Sequence, residues 1–209
     1  TNGDETAAQN VQTTLEAFVA QQQKLISSFK SPENVKLLKE QAATIAEYQT
    51  SLNKMRNAYR TGNSARDSMS VSAETAYNQI ESISKRVQQM DMSEQRFEQF
   101  QAITAAKEAF ILARYEVRGY TATSNAETEQ KAVGQLDVAI ASLKQLNVHF
   151  ADSQQDALRQ LETALVNYRS ALMAYKNANT DAVQARKEMT DQGAAIVTTS
   201  EQLYQIQLD

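Results

Sequence analysis

The stretch LKEQAATIAEYQTSL, residues 38–52, decides the fold. Leu38, Gln41, Ile45, Tyr48 and Leu52 recur at alternating spacings of three and four, which places them on one face of an α-helix. The pattern continues through Met55, Tyr59, Gly62, Arg66, Met69, Ala73, Ala76, Ile80, Ile83, Val87 and Met90. A second run of the same kind holds Leu158, Leu161, Leu165, Tyr168, Leu172, Tyr175, Asn179, Ala182, Arg186, Met189, Gly193, Ile196, Ser200 and Leu203. Seams this long belong to helices packed knobs-into-holes in an elongated bundle. Chain breakers are scarce, with five glycines and one proline in 209 residues, which argues against a β-rich fold with many tight turns.

The few stop and start signals divide the chain. Ser31-Pro32 sets a capping hydroxyl before a proline at the first helical position. Asp91-Met92-Ser93-Glu94 and Ser124-Asn125-Ala126-Glu127 have the spacing of a capping box, and Asp152-Ser153-Gln154-Gln155 repeats it with glutamine. These predict five helices, at about 5–30, 32–90, 93–121, 125–149 and 152–207. Gly62 is the one residue inside the second helix able to kink it.

The chain also repeats itself. Tyr48, Leu52, Ala65, Arg66 and Met69 match Tyr168, Leu172, Ala185, Arg186 and Met189, each 120 residues on. Leu15, Leu25 and Phe29 match Leu136, Leu146 and Phe150, each 121 residues on. Residues 1–90 therefore resemble 121–209, and the helix 93–121 precedes the second copy alone. The repeat implies an opening helix of about 28 residues, equivalent to 93–121, missing ahead of Thr1. The expected architecture is all-α, an elongated rod of two stacked four-helix bundles. One bundle would join about 5–60 with 125–178, and the other about 61–121 with 179–209.

Composition narrows the function. A formal charge of −4 and a pI near 5.2 argue against a nucleic-acid partner, which needs a concentrated basic face. The absence of cysteine removes disulfides and thiolate metal sites. His149 is the single histidine, which removes di-iron bundles needing a Glu-x-x-His on each of two helices. No cofactor and no metal is expected. No nucleophile–base pair and no glycine-rich phosphate loop is visible, so an enzyme is not expected. No apolar run reaches the roughly 20 residues of a membrane span.

The residues out of place on the seams are cations. Arg66 and Arg186 occupy positions otherwise held by Ala, Met, Leu and Ile, and Lys107 and Arg114 take seam positions in helix 93–121. If that helix packs antiparallel to the end of the last one, Arg114 comes level with Arg186, and a tight turn after Met90 brings Arg66 to the same layer. Converging buried cations need an anion, and arginine clamps a carboxylate through two parallel hydrogen bonds. The candidate ligand site is therefore Arg66, Arg114 and Arg186, with Arg118, Thr190, Ser70 and Tyr120 as further donors. The competing reading makes each arginine a register device whose long stem reaches water. Tyr48, Tyr59, Tyr168 and Tyr175 read as core rather than as a ligand cage, Arg56, Arg60 and Arg169 as solvated rather than as holding a second anion, and His149 as a surface or capping residue.

The segment Ala113-Arg114-Tyr115-Glu116-Val117-Arg118-Gly119-Tyr120, followed by Ala126-Glu127-Thr128-Glu129-Gln130 and Leu136-Asp137-Val138-Ala139-Ile140, resembles the helical bimodular sensor domain of bacterial methyl-accepting chemotaxis proteins. So do the two Ala-Arg-x-x-Met segments at Ala65 and Ala185. The resemblance implies a periplasmic sensor domain over 1–209, attached to the inner membrane through flanking transmembrane helices. The bundle of 5–60 with 125–178 would be distal, and that of 61–121 with 179–209 membrane-proximal. It also implies small carboxylate ligands, organic acids in the membrane-proximal bundle and in some members acetate in the distal one, a homodimer, and Arg186 and Arg114 at positions that contact ligand. The missing opening helix supplies ligand-binding arginines in that family. The alternative is a structural or interaction helical-bundle protein, a spacer or adhesin-like rod without a small-molecule ligand. Output to a chemotaxis pathway or to a sensor kinase stays open.

Overall fold

The long apolar periodicities do form long helices. The computed structural model describes residues 2–28 and 31–208, and places them in α1 (Asn2–Ser28), α2 (Pro32–Gln88), α3 (Glu94–Thr123), α4 (Ala126–Ala141), α5 (Leu143–His149) and α6 (Gln155–Leu208). The chain is all-α, with no strand among the described residues. Phe29, the repeat partner of Phe150, lies outside them.

The helix ends follow local chemistry. Pro32 starts α2, where its missing N–H leaves no bond unmade. Ser93 caps α3, its hydroxyl accepting from the Arg96 amide at 3.0 Å, so the cap is Ser93 and not Asp91. The Arg96 guanidinium reaches back to the Val87 and Gln88 carbonyls at 3.1 and 3.2 Å and satisfies the end of α2. Ser124, at φ 54°, ends α3, and Asn125 opens α4 by accepting from the Thr128 amide at 2.9 Å. Adjacent residues thus close one helix and open the next, where the sequence reading had Ser124 as the opening cap. The expected helix 125–149 breaks at Ser142, whose hydroxyl bonds the Ala139 carbonyl. The box at Asp152 is unused, and α6 starts at Gln155 after Gln154 adopts φ 52°. Helix α2 runs through the buried Gly62 without interruption.

Two compact units divide the chain. The central unit is Thr61–Asn177, and the terminal unit joins the residues up to Arg60 with those from Ala178 on. This corrects the expected bundles, in which 125–178 was to join 5–60. The reason is the tight link at Ser124 and Asn125, which folds α4 back on α3 as a hairpin. The Gln135 amide then reaches the Ala109 carbonyl at 3.3 Å.

In the central unit, the second half of α2, all of α3, α4 with α5, and the first half of α6 surround one core. Ile80, Ile83, Ile103, Phe110, Leu136, Leu146, Phe150 and Leu161 are fully buried there. Phe110 meets Tyr168 edge-on with ring centroids 6.2 Å apart, a favoured aromatic geometry. In the terminal unit, α1, the first half of α2 and the second half of α6 bury Ala8, Leu38, Ile45, Leu52, Ala58, Ala178, Ala182 and Ala185. Polar side chains join that core. Gln22 donates to Gln41, which in turn reaches the Ile196 carbonyl at 3.1 Å and the Ser200 hydroxyl at 2.6 Å.

Candidate functional site

Each seam arginine stands one residue beyond a buried alanine. Ala65, Ala113 and Ala185 are buried, while Arg66 and Arg186 are exposed and Arg114 is half-buried. The seam runs Gly62, Ala65, Met69, and the arginine flanks it. Alanine fits the narrow line between close helices. The longer guanidinium stem leaves from the edge of the same face and bends over it.

Two of these edges meet in the central unit. Arg66, Arg114 and Arg118 line a cavity of about 260 Å³ together with Met69, Ser70, Ala73, Val117, Thr121 and Tyr168. Met69 and Ala73 come from α2, Val117 from α3 and Tyr168 from α6, and all four are buried. They form an apolar floor beneath a cationic rim. No carboxylate lines the cavity, and the Arg114 and Arg118 side chains have no ion-pair partner among the described residues.

Arg66 is held differently. Its Nη2 donates to the Thr121 carbonyl at 3.0 Å and to the Tyr175 hydroxyl at 3.2 Å, and its guanidinium lies 5.3 Å from the Tyr175 ring centre. Thr121 is in the last turn of α3, the electronegative end of that helix, which favours a cation there. Tyr175 also bonds the Ser124 hydroxyl at 3.1 Å. Arg66 therefore links α2, the end of α3 and α6 at the edge of the cavity.

The tyrosines behave as buried phenols. Tyr168, 3% exposed, is pushed up to about 12 by burial, with Arg114 and Arg118 opposing the rise. Its hydroxyl has no hydrogen-bond partner among the described residues, so at neutral pH it is a donor available to the cavity. Tyr120 is also pushed up to about 12, by burial first and then by the Glu129 charge and Tyr175. It stacks edge-on against Tyr175 at 5.4 Å, and its buried hydroxyl has no partner.

The expected site is thus brought together in part. Arg66, Arg114, Arg118 and Ser70 share one cavity. Arg186 and Thr190 belong to the terminal unit and do not line it, because α3 shares its unit with the first half of α6. The Thr190 hydroxyl is taken by the Arg186 carbonyl at 3.0 Å. Tyr120 is buried in the core and does not line this cavity. Lys107 is spent on Glu81 at 2.5 Å, over the Tyr77 ring. His149 sits at the end of α5, with Nδ1 3.8 Å from Glu98. Sequence reasoning missed Thr121 and Tyr168 as lining residues. Their signal was a shared level with Arg114 once α3 is paired with the first half of α6.

No helix among the described residues is long and apolar enough to cross a membrane, and no group of His, Asp and Glu there could hold a metal. The family model of the helical bimodular sensor domain matches residues 1–209. Two chemotaxis receptors of Pseudomonas putida align with the chain. Methyl-accepting chemotaxis protein McpS is 42% identical over 209 residues, which is 100% of this chain and 33% of the relative. Methyl-accepting chemotaxis protein McpQ is 26% identical over 200 residues, 96% of this chain and 31% of the relative. The chain spans about a third of the length of each, and corresponds to the sensing part of such proteins. With its all-α pattern, its two units and a match along its full length, the chain belongs to the helical bimodular sensor domain family.

Proposed function

We propose that this sensor domain recognises small organic carboxylates in the central cavity and has no catalytic role. The observation that supports it is a rim of three arginines over an apolar floor, with no carboxylate among the lining residues. A ligand carboxylate pairs with Arg114 and Arg118 through charge-assisted hydrogen bonds, which are about twice as strong as neutral ones. Ser70 and the Tyr168 hydroxyl add neutral donors, while Met69, Ala73 and Val117 accept a short carbon skeleton.

Signalling follows from Arg66. A second ligand carboxylate competes with the Thr121 carbonyl and the Tyr175 hydroxyl for its guanidinium. Moving Arg66 toward the ligand loosens its hold on the end of α3 and on α6, and so favours one packing of the central unit over another. A shift from a mostly resting to a mostly signalling population takes about 5.5 kcal/mol of differential affinity. The displaced helices pass the change on to the rest of the receptor. We place the domain in the periplasm, in a homodimeric receptor of the inner membrane. The exposed apolar face of α3 (Phe97, Phe100, Ile111 and Tyr115) supports a partner copy.

A thermal-shift series with succinate, malate and citrate tests the ligand class. At least one raises the melting temperature by several degrees, and Arg114→Ala with Arg118→Ala removes the rise. The same flat response to every acid in the unsubstituted chain would leave a helical spacer whose arginines fix register.

A further inference from the structure

The turn between α2 and α3, residues 89–93, is held by one side chain. Every nitrogen of the Arg96 guanidinium is engaged there. Nε donates to the Val87 carbonyl at 3.1 Å and Nη2 to the Gln88 carbonyl at 3.2 Å, both at the end of α2. Nη1 donates to the Met92 sulfur. The Arg96 amide meanwhile donates to the Ser93 hydroxyl that caps α3. One residue thus fastens the last turn of α2, the connection and the first turn of α3 to one another. The thioether is the weakest acceptor in this set.

That sulfur is also the most open one in the chain. Met92 is 85% exposed. Of the other five methionines, Met69 is buried, and Met55, Met90, Met173 and Met189 are half-buried. There is no cysteine, so thioethers are the only sulfur nucleophiles present. Methionine oxidation follows access to the sulfur, and a hydroperoxide therefore meets Met92 first. A sulfur lone pair attacks one peroxide oxygen, the S–O bond forms and the O–O bond breaks. The departing hydroxide takes the proton of the transferred oxygen and leaves as water. The thioether is oxidised by two electrons to a sulfoxide, the peroxide is reduced, and nothing else is consumed.

The product changes the balance at Arg96. A sulfoxide is polar, and its oxygen is a far better partner for a guanidinium than the thioether was. The new oxygen has to stand between the sulfur and Nη1. A guanidinium is a rigid planar fork, so Nη1 cannot back away while Nε and Nη2 keep both carbonyls. The bonds to Val87 and Gln88, at 3.1 and 3.2 Å, are already at the long end of the ordinary range. We propose that Met92 is an oxidant-responsive modification site, whose sulfoxide draws Arg96 off the end of α2 and frees the α2–α3 turn. The change is reversible, because methionine sulfoxide is reduced back to the thioether enzymatically. The freed end frays from the Gln89 and Met90 amides, which bond the Arg86 and Val87 carbonyls at 3.2 and 3.1 Å.

The proposal draws nothing from the central cavity, and hydrogen peroxide alone tests it. After limited treatment, peptide mapping should find Met92 oxidised at least about tenfold faster than any other methionine. The singly oxidised chain should melt about 2–4 °C lower, the shift expected for weakening two hydrogen bonds in a chain of this size. The Gln89 and Met90 amides should exchange faster in deuterated water. Met92→Gln, with an oxygen near the sulfoxide position, should reproduce the drop without oxidant, and Met92→Leu should melt unchanged after the same dose of peroxide. Arg96→Lys should melt lower from the start and lose nothing more when Met92 is oxidised, because lysine has no fork to displace. Treatment with a methionine sulfoxide reductase should restore the melting temperature of the oxidised chain. A second methionine oxidised as fast as Met92, an oxidised chain that melts unchanged, or an equal drop in Arg96→Lys overturns the proposal.

Discussion

Leu161 and Gln41 stand at the same position of the internal repeat, yet one belongs to an apolar core and the other to a polar one. The correspondence is general. Among the described residues, the buried polar side chains of the terminal unit are Gln22, Gln41 and Ser51, and their counterparts in the central unit are the buried Leu143, Leu161 and Ala171. The terminal core is stitched by Gln22, Gln41, the Ile196 carbonyl, Ser200, and a Ser51–Glu188 hydrogen bond of 3.3 Å. The central core is filled by leucine and aromatic side chains.

Coverage differs as well. Leu136 is fully buried while its partner Leu15 is half-exposed, and Ile83 is fully buried while its partner Leu203 is not. In the central unit α3 lies over the seam. Among the described residues the terminal unit has no counterpart to α3, and an apolar groove lined by Phe18, Ile196, Val197 and Tyr204 remains open. The same periodic seam therefore carries an apolar core in one unit and a hydrogen-bonded polar one in the other. A hydrogen-bonded polar core fixes register but gains less from burial than an apolar one.

Transplanting the difference is the strongest way to break this comparison. Leu161→Gln puts the terminal unit's residue into the central core, where no Gln22 or Ser200 equivalent awaits it. It is expected to cost about 3–5 kcal/mol in urea denaturation followed by circular dichroism. A cost below about 1 kcal/mol would mean that the two cores are interchangeable.

Alkali sharpens the comparison with a smaller effect. Tyr120 and Tyr168, both in the central unit, titrate near 12 when folded, against 10 when unfolded. The folded state keeps its protons over that interval, so the associated stability is complete below pH 10 and is lost as the pH rises toward 12. Each tyrosine contributes up to about 3 kcal/mol to the loss. Melting followed from pH 8 to 11.5 should show a fall that Tyr168→Phe and Tyr120→Phe reduce. Tyr120→Phe should also raise the melting temperature at pH 8, because it removes a buried hydroxyl that has no partner.

Much of this was legible in the sequence, for identifiable reasons. Long helices reveal themselves through many turns of apolar spacing, so the limits of α2, α3 and α6 lie within three residues of expectation. Caps were less legible, because Asp91, Ser93, Ser124 and Asn125 are all competent and only geometry chooses among them. The seam slipped by one residue at Arg66 and Arg186, where an alanine beside each arginine satisfied the same alternation. Pairing was the least legible feature. The repeat states which segments are alike, but not which halves of α2 and α6 share a core, and that choice took Arg186 out of the cavity and brought in Tyr168. Arg66 and Arg114 still share a cavity without Arg186, and Arg118 joins them because it lies one turn from Arg114 on α3 whatever the pairing.

The central claim is that the cationic rim of the central cavity takes a carboxylate. Isothermal titration with the acid that gives the largest thermal shift tests it most directly, in the unsubstituted chain, in Arg114→Ala with Arg118→Ala, and in Arg186→Ala. Loss of charge-assisted bonds of about 1.5–3 kcal/mol each predicts a fall of at least tenfold for the double variant, and none for Arg186→Ala. Full affinity in the double variant, with binding abolished by Arg186→Ala, would contradict the account.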